Sequence, residues 1–198
     1  MLGTGYRGLG FAVGTERVPD LLASYGVSVL ATDLHQEEGI AKGWADSSQL
    51  AISKADLCSG ISTEDQFDQL VDFANVDMNS IPNNLKDFDF CWSSCAFEHL
   101  GSIEAGKSFV TNSLNTLRSG GLAVHTTELN LSSDEDTVTS GGTVLFRRRD
   151  FREIASALRD EGHTVAPLNF YQGNHTLDQY IDTPPYSNDA HLRLSLMK

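Results

Sequence analysis

Residues 88–102 read FDFCWSSCAFEHLGS, and this stretch decides the fold. Its first half alternates large aromatic residues with other residues, and such a period of two predicts a buried β-strand. Its second half changes at once to small polar residues, Ser93 and Ser94, which are soon followed by two titratable residues, Glu98 and His99. We therefore predict that a core strand ends here in a polar rim.

The rest of the chain alternates predicted strands with predicted helices. Further strands are predicted at residues 9–13, 27–32, up to about 76, 122–127, 164–170 and 192–197. Helix signals begin near Thr15, Ser62, Ser102 and Asp150 (the last paired with Glu153), with another helix around 49–55 and stops at Gly26, Gly120–Gly121 and Gly162. This alternation predicts an α/β fold, a doubly wound, mostly parallel Rossmann-like sheet whose last strand is antiparallel.

Length and composition limit the function classes. A chain of 198 residues fits a single domain, residues 1–198. A net charge of -13 disfavours binding to nucleic acid or to an anionic membrane surface, because phosphate contacts need clustered Lys and Arg. No segment is apolar enough for a signal peptide or a membrane span, and three cysteines without a CxxC predict reduced thiols in a cytoplasmic protein. The composition is compatible with a homo-oligomer and with a monomer.

Candidate ligand-binding residues, most of them polar, follow five of the predicted strands at the end where doubly wound sheets bind ligands. These residues are Gly10, Gly14, Asp33, His35, Asp77, Met78, Ser93, Ser94, Cys95, Glu98, His99, His125 and Glu128. A glycine after the first strand lets a ligand approach the backbone, and a carboxylate after the second can accept hydrogen bonds from ribose hydroxyls. The structural alternatives are a tight turn for the glycines and a helix cap for Asp33.

The order of the motifs resembles the class I S-adenosylmethionine-dependent methyltransferases. The resemblance is carried by the glycines of residues 10–14, ATDL with Asp33, VDMNSIP, FDFCWSSCAFEHLGS and LRSGGLAVHTTE, which together cover most of residues 8–128. The tail, with GGTVLFRRRDF, DTPPY and HLRL, further resembles methyltransferase-like proteins associated with surface polysaccharide clusters in bacteria.

The resemblance implies S-adenosylmethionine as the cofactor and a role for each matched residue. Gly10 and Gly14 would line its methionine part, Asp33 would hold the ribose, Asp77 would accept from the adenine amino group, Met78 would pack on the ring, and Ser93 and Ser94 would lie beside the sulfonium. Ala12 and Glu16 stand where the family usually has glycines, which predicts a wider cofactor loop or weaker binding. The family commonly has helices before the first strand, so we expect a domain without an N-terminal cap.

Methyl transfer from a sulfonium is an in-line displacement, and a general base is needed only for an unactivated hydroxyl or amine acceptor. His99 is the candidate catalytic base, and Glu98 is the second catalytic candidate, expected to orient a group or form hydrogen bonds rather than to titrate; alternatively, His99 only caps or buttresses the next helix. Cys95 is interpreted as a small core residue. His35, His125 and Glu128 could join His99 around a divalent metal, but no spacing motif supports this set, so we predict no metal.

Two segments without regular pattern, 128–142 and 173–190, are expected to shape an acceptor pocket over the rim. Tyr171, Tyr180 and Tyr186 are candidates for stacking on a sugar or ring, or else for anchoring these loops. Arg147, Arg148 and Arg149 are interpreted as a solvated strand end, with contact to an anionic acceptor as the alternative.

The predicted function is methyl transfer from S-adenosylmethionine to a small-molecule or glycan acceptor, at oxygen. One alternative is a non-catalytic relative that binds the cofactor or a partner. Another is a nicotinamide-dependent oxidoreductase, which the glycine spacing and the absence of a Tyr-x-x-x-Lys pair disfavour.

Overall fold

The computed structural model describes residues 3–41 and 49–175, together with Pro184 and Tyr186. The chain divides into two compact units. The first, called here the sheet unit, comprises Met1–Ala96 and Asn112–Thr126; the second unit comprises Phe97–Thr111 and Thr127–Lys198. Within the described residues, no helix combines the length and the apolar character needed to cross a bilayer.

A five-stranded parallel sheet forms the sheet unit, which confirms the predicted α/β, Rossmann-like architecture. Its strands are β1 (Arg7–Phe11), β2 (Ser28–Asp33), β3 (Val71–Asn75), β4 (Phe88–Ser94) and β5 (Leu117–Thr126). They are ordered β3-β2-β1-β4-β5, so the chain moves outward from β1 to β3 and then returns to β4 on the other side of β1. The topological switch point of the sheet therefore lies between β1 and β4.

The described part of the chain forms five helices. They are α1 (Val18–Ser24), α2 (Gln36–Ala41), α3 (Glu64–Leu70), α4 (Ile103–Ser113) and α5 (Arg148–Asp160), with short 3₁₀ segments at Lys54–Leu57, Phe97–His99 and Leu114–Thr116. The helix starts follow the predicted signals closely. Thr63 and Gln66 form a reciprocal capping box at α3, and the Ser102 hydroxyl accepts from the Ala105 N–H at α4.

The core of the sheet unit lies under α1 and α3. Val27, Val29 and Ala31 are buried there together with Leu57 and Phe67. Val27 and Val29 are β-branched and stand at alternate positions, so they pack well on one face of a pleated sheet, which explains why the second predicted strand forms as expected. Pro19 stands in the first turn of α1, where its missing N–H is not needed.

The predicted helix stop at Gly120–Gly121 is wrong. Helix α4 ends at Ser113, and the two glycines lie inside β5, which begins at Leu117. The register changes there, because Phe88 pairs with Leu117 whereas Phe90 pairs with Leu122. The extra residues of β5 form an irregularity, and Gly120 has a φ of 76° that suits a glycine in such a bulge.

Two further sequence expectations are wrong, and a third lies outside the described residues. A 3₁₀ turn at Lys54–Leu57 stands where a helix was predicted around 49–55, and residues 164–170 have no regular secondary structure. Pro167 explains the second error, since a proline cannot donate to a β-ladder. The strand predicted at 192–197, which was to supply the antiparallel last strand, lies outside the described residues; the five described strands are all parallel.

Candidate functional site

The turns that follow β1 and β4 flank the switch point of the sheet, where open α/β sheets bind their ligands. Each turn contains a non-glycine residue in the left-handed region, Ala12 with φ 46° and Cys95 with φ 46°. Strained residues of this kind concentrate at functional sites. Ala12 stands where the resemblance predicts a glycine, and its φ shows that the backbone keeps a conformation typical of glycine there. Cys95 is exposed, so its interpretation as a core residue is wrong.

Gly10 and Gly14 are required for two different reasons. A Cβ on Gly10 would come within 2.5 Å of Trp92 Cζ2, so this glycine makes room for the indole. A Cβ on Gly14 would come within 2.5 Å of the Gln49 carbonyl oxygen, and Gly14 also has a φ of 51°. The turn after β1 is therefore packed closely against both Trp92 and the chain at Gln49.

Asp33 ends β2 with its side chain buried and occupied by backbone donors. Its Oδ2 accepts from the N–H of Gly14 at 3.0 Å and from the N–H of Ala51 at 3.1 Å, while Oδ1 accepts from the N–H of Leu34 at 2.8 Å. Burial raises the pKa of this carboxyl, and the three N–H groups oppose the rise. Asp33 thus fixes the glycine turn, and Oδ1 has the greater remaining capacity to accept from a ligand hydroxyl.

Asp77 and Met78 follow β3. The Asp77 carboxylate accepts from the N–H of Asn79 at 2.9 Å and is half-buried, whereas Met78 is only 4% exposed. The Asp77 carbonyl also accepts from the N–H of Ser80, which closes a tight turn at the sheet edge. Both residues stand at the carboxyl end of β3, as the strand assignment requires.

Buried Ser93 and half-buried His125 form a polar pair between β4 and β5. The Ser93 hydroxyl is hydrogen-bonded to His125 Nδ1 at 2.9 Å, and the Ser113 hydroxyl is hydrogen-bonded to His125 Nε2 at 3.0 Å. Burial lowers the pKa of His125 to about 4, so the imidazole is neutral at neutral pH. Because both ring nitrogens bond to serine hydroxyls, His125 is a structural residue, and Ser93 is engaged with it.

Ser94 behaves differently from its neighbour, because it is exposed and hydrogen-bonds the side chain of Glu16. Glu16 Oε1 also accepts from Trp92 Nε1 at 2.6 Å. Burial raises the pKa of the Glu16 carboxyl, and both hydrogen bonds oppose that rise. Sequence reasoning treated Glu16 only as a departure from glycine; the signal it missed was an acidic side chain placed in the turn after the first strand.

His99 belongs to the second unit, where its ring orientation is fixed from the loop before α5. Its Nδ1 lies 3.0 Å from the Gly142 carbonyl oxygen and 3.1 Å from the Thr143 hydroxyl. A carbonyl can only accept, so the contact with Gly142 requires the proton on Nδ1. The basic nitrogen of the neutral ring is then Nε2, which is the arrangement that a general base needs.

Glu98 is 1% exposed and belongs to the same unit. Its Oε2 accepts from the Thr127 hydroxyl at 2.9 Å. Burial raises the pKa of Glu98 to about 7, aided by the negative charge of Glu128 and opposed by hydrogen bonds from Thr127 and from backbone N–H groups. A carboxyl with such a pKa changes its charge near neutral pH, unlike an ordinary glutamate.

The segment 128–142 is held together by Asn130, which is buried. Its Nδ2 donates to the Asp136 carbonyl and to the Thr137 hydroxyl, while its Oδ1 accepts from the Ser132 and Ser133 N–H groups. This amide therefore orders a loop that has no regular secondary structure.

The three candidate tyrosines differ in their surroundings. The Tyr186 hydroxyl lies 3.0 Å from the Ser132 hydroxyl, whereas Tyr171 is 67% exposed. Tyr180 lies outside the described residues.

The arginine cluster does not form a solvated strand end, so that interpretation is wrong for Arg147. Arg147 is 7% exposed, and its guanidinium donates to both carboxylate oxygens of Asp150. Asp150 caps α5 through the Arg147 N–H, and this pairing replaces the predicted one with Glu153. Arg149 and Arg152 form more exposed ion pairs with Glu135 and Asp134.

Across residues 3–41 and 49–175, no group of three or more His, Cys, Asp or Glu side chains is arranged to hold a metal ion. The alternative metal set is thus not found among these residues. His35 is exposed, and the ring nitrogens of His125 are taken by serines.

Neither a protein-family profile nor a curated protein matches the chain, but solved structures do. The [4+2]-cyclase SpnF superposes with a TM-score of 0.55 at 20% identity, over 79% of this chain and 52% of its own. Phosphoethanolamine N-methyltransferase 2 of Haemonchus contortus, in complex with S-adenosyl-L-methionine, superposes with a TM-score of 0.50 at 20% identity, over 79% of this chain and 33% of its own. The same enzyme with phosphomonomethylethanolamine and S-adenosylhomocysteine gives a TM-score of 0.52 at 18% identity.

At these identities the likeness shows the fold, which is that of the class I S-adenosylmethionine-dependent methyltransferases. The chain spans about half the length of the SpnF chain (52%) and about a third of the nematode enzyme (33%). The cyclase among these structures shows that the fold alone does not determine the reaction.

Proposed function

We propose that the chain binds S-adenosylmethionine and transfers its methyl group to an oxygen of a small-molecule or glycan acceptor. The observation that carries the proposal is the switch point of the β3-β2-β1-β4-β5 sheet, with its glycine turn after β1 and a carboxylate at the end of β2. The methyltransferases of the same fold, crystallised with S-adenosylmethionine or its product, support the choice of cofactor.

The cofactor assignment follows the strand order. Its adenine is assigned to Asp77 and Met78 after β3, and its ribose to Asp33 at the end of β2, through Oδ1. Its methionine part is assigned to the turns after β1 and β4, which carry Gly10, Gly14 and Ser94. Ser93 is assigned to this group by its position at the end of β4, although its hydroxyl is hydrogen-bonded to His125.

The bound cofactor supplies an electrophilic methyl group on a sulfonium. His99 would supply the base in this proposal, with Nε2 taking the proton of an acceptor hydroxyl. Gly142 and Thr143 hold the ring in the tautomer that leaves Nε2 basic. Glu98 acts as a positioning residue, because its buried carboxyl fixes Thr127 at the start of the loop that also carries Asn130. That loop, with Tyr171 and Tyr186, is assigned to the acceptor.

Calorimetric titration with S-adenosylmethionine, S-adenosylhomocysteine and NAD tests the cofactor assignment. We expect the first two to bind and NAD not to bind. Asp33→Ala should weaken both roughly 10-fold or more, since it removes a carboxylate that holds the glycine turn. Asp72→Ala, an exposed residue of β3, is the matched control. If neither adenosyl ligand binds the unaltered chain, the proposed function is overturned; NAD binding in their place would favour the oxidoreductase alternative.

Transfer of a labelled methyl group to a panel of monosaccharides and phenols tests the reaction. His99→Gln should lower kcat by about 10²–10⁴-fold with little change in cofactor affinity. His163→Gln, on an exposed histidine after α5, should leave the rate unchanged. Cofactor binding without transfer to any acceptor of the panel would favour the non-catalytic alternative, and an unchanged rate in His99→Gln would remove His99 from the reaction.

A further inference from the structure

Glu16 is held in a fixed position between the turn after β1 and the end of β4. Its Oε1 accepts from Trp92 Nε1 at 2.6 Å, and the Ser94 side chain hydrogen-bonds the same carboxylate. Trp92 cannot easily move, because it is 7% exposed and its ring fills the space that Gly10 leaves open. The carboxylate is therefore positioned by the core of the sheet unit rather than by a mobile loop.

The charge of Glu16 has no matching cation in the part of the chain that the structure describes. Within that part, no Lys, Arg or His side chain forms an ion pair with Glu16. Asp150 differs, since it is paired with both Arg147 and Lys107. An ionised carboxylate offers about four acceptor positions, so the two neutral donors on Glu16 leave capacity for a further donor.

A partly buried carboxylate with unused acceptor positions selects a cationic ligand group with N–H donors, because charge-assisted hydrogen bonds are stronger than neutral ones. Glu16 stands at the switch point, across β1 from Asp33. The cofactor of the proposed function has two cations. Its α-ammonium donates three N–H bonds, whereas its sulfonium donates none.

We propose that Glu16 binds the α-ammonium group of the methionine moiety of S-adenosylmethionine, in an acidic subsite built by Glu16, Trp92 and Ser94. This inference rests on the proposed function and makes it more specific. In the proposed function, the adenosine part of the cofactor lies at the ends of β3 and β2. Because β1 and then β4 come next in the sheet, the amino acid part reaches the end of β4, where Trp92 holds Glu16. The group recognised is then present in the cofactor and in S-adenosylhomocysteine alike.

Three ligands separate the contacts that Glu16 could make. S-adenosylmethionine carries both cations, S-adenosylhomocysteine carries only the ammonium, and 5′-methylthioadenosine carries neither. Glu16→Gln keeps the shape of the side chain and removes its charge. We expect it to weaken binding of the first two by about 10–100-fold and to leave methylthioadenosine within about twofold, as for a lost hydrogen bond between charged groups.

Two further variants keep the test decisive. Glu37→Gln, on an exposed residue of α2, should change no affinity. Glu16→Ala controls for any disturbance of the turn by the new amide group, and it should show the same pattern of affinities as Glu16→Gln. Thermal melting of each variant identifies those that remain folded.

Each other result overturns the assignment. Equal weakening of all three ligands would mean that Glu16 only supports the turn. Weakening of S-adenosylmethionine alone would move the contact to the sulfonium, and unchanged affinities would remove Glu16 from the subsite. These outcomes differ from failure of the proposed function, in which the unaltered chain binds neither S-adenosylmethionine nor S-adenosylhomocysteine.

Discussion

Asp20 in the sheet unit and Glu98 in the second unit are both carboxylates with almost no exposed surface, 0% and 1% respectively. Their hydrogen bonding differs sharply. Asp20 accepts from the N–H groups of Ser59, Ile61 and Ser62 and from both serine hydroxyls. Burial raises the pKa of Asp20, but these five donors outweigh it and hold the pKa well below its usual range.

Glu98 has an equally small exposed fraction, but it lies deeper in the protein and has fewer donors, so burial prevails and raises its pKa to about 7. The comparison teaches that burial alone does not assign a role to a carboxylate. Its depth in the protein, together with the number and geometry of its donors, decides whether it fastens the chain or changes its charge near neutral pH. Asp20 thus ties α1 to the segment before α3, whereas Glu98 changes its charge near neutral pH.

The largest effect is expected for Asp20→Asn. The amide nitrogen of Asn cannot accept, so at least one of the buried donors from Ser59, Ile61 or Ser62 loses its partner. We expect the free energy of unfolding to fall by about 3–5 kcal/mol, as when one partner of a buried charged network is removed. Urea unfolding followed by circular dichroism measures this loss.

Asp56→Asn is the matched control for Asp20→Asn. Asp56 also accepts from backbone N–H groups, of Ile52 and Ser53, but it is exposed and water can replace these bonds. Asp56→Asn should therefore lower the free energy of unfolding by about 1 kcal/mol or less. Equal losses for the two variants would contradict the view that burial makes the Asp20 network costly to break.

Glu98→Gln should have the opposite effect: at alkaline pH it should raise the free energy of unfolding. The folded pKa of about 7 lies above the ordinary value of 4.5, so the folded state holds a proton that the unfolded state has already released. The unaltered chain therefore loses stability as pH rises through this window. Relative to Glu98→Gln, that loss should reach about 3 kcal/mol between about pH 4 and pH 8. Unfolding titrations at several pH values test it; parallel pH profiles of the two chains would show that Glu98 does not titrate as described.

His125→Gln extends the comparison to a half-buried base. The His125 pKa is lowered from 6.5 to about 4, so the unfolded state takes up a proton before the folded state does. Stability should therefore fall as pH drops through this window, by about 2 kcal/mol between about pH 7 and pH 4.5. Gln can still reach the hydroxyls of Ser93 and Ser113 but does not titrate, so the pH dependence of the variant should be flatter by that amount. His163→Gln, on an exposed histidine, should leave the profile unchanged.

The sequence alone predicts some of these features and not others. The five strands and the starts of α3 and α4 could be predicted, because alternation and capping residues act within a few positions of the chain. Gly120–Gly121 was misread because a glycine pair signals a helix stop and a strand bulge equally well. Only the pairing with β4 distinguishes the two.

The side-chain partners were the least predictable part of the site. Sequence places Asp33 and Ser93 at strand ends, but the donors that occupy Asp33 come from Gly14 and Ala51, and the partner of Ser93 comes from β5. Such contacts depend on tertiary packing. Glu16 was overlooked for the same reason, since its importance depends on Trp92, which is distant in sequence.

The smallest predicted effect concerns the backbone conformation of Ala12. Ala12 has a φ of 46° at the switch point, a conformation that costs a residue with a Cβ but not glycine. Ala12→Gly should therefore raise the free energy of unfolding by about 0.5–1 kcal/mol, whereas Ala105→Gly inside α4 should lower it by about 1 kcal/mol. Opposite signs in urea unfolding would confirm the strain. Destabilisation by both would mean that the turn after β1 is relaxed with alanine, and the departure from glycine would then carry no energetic cost at the candidate site.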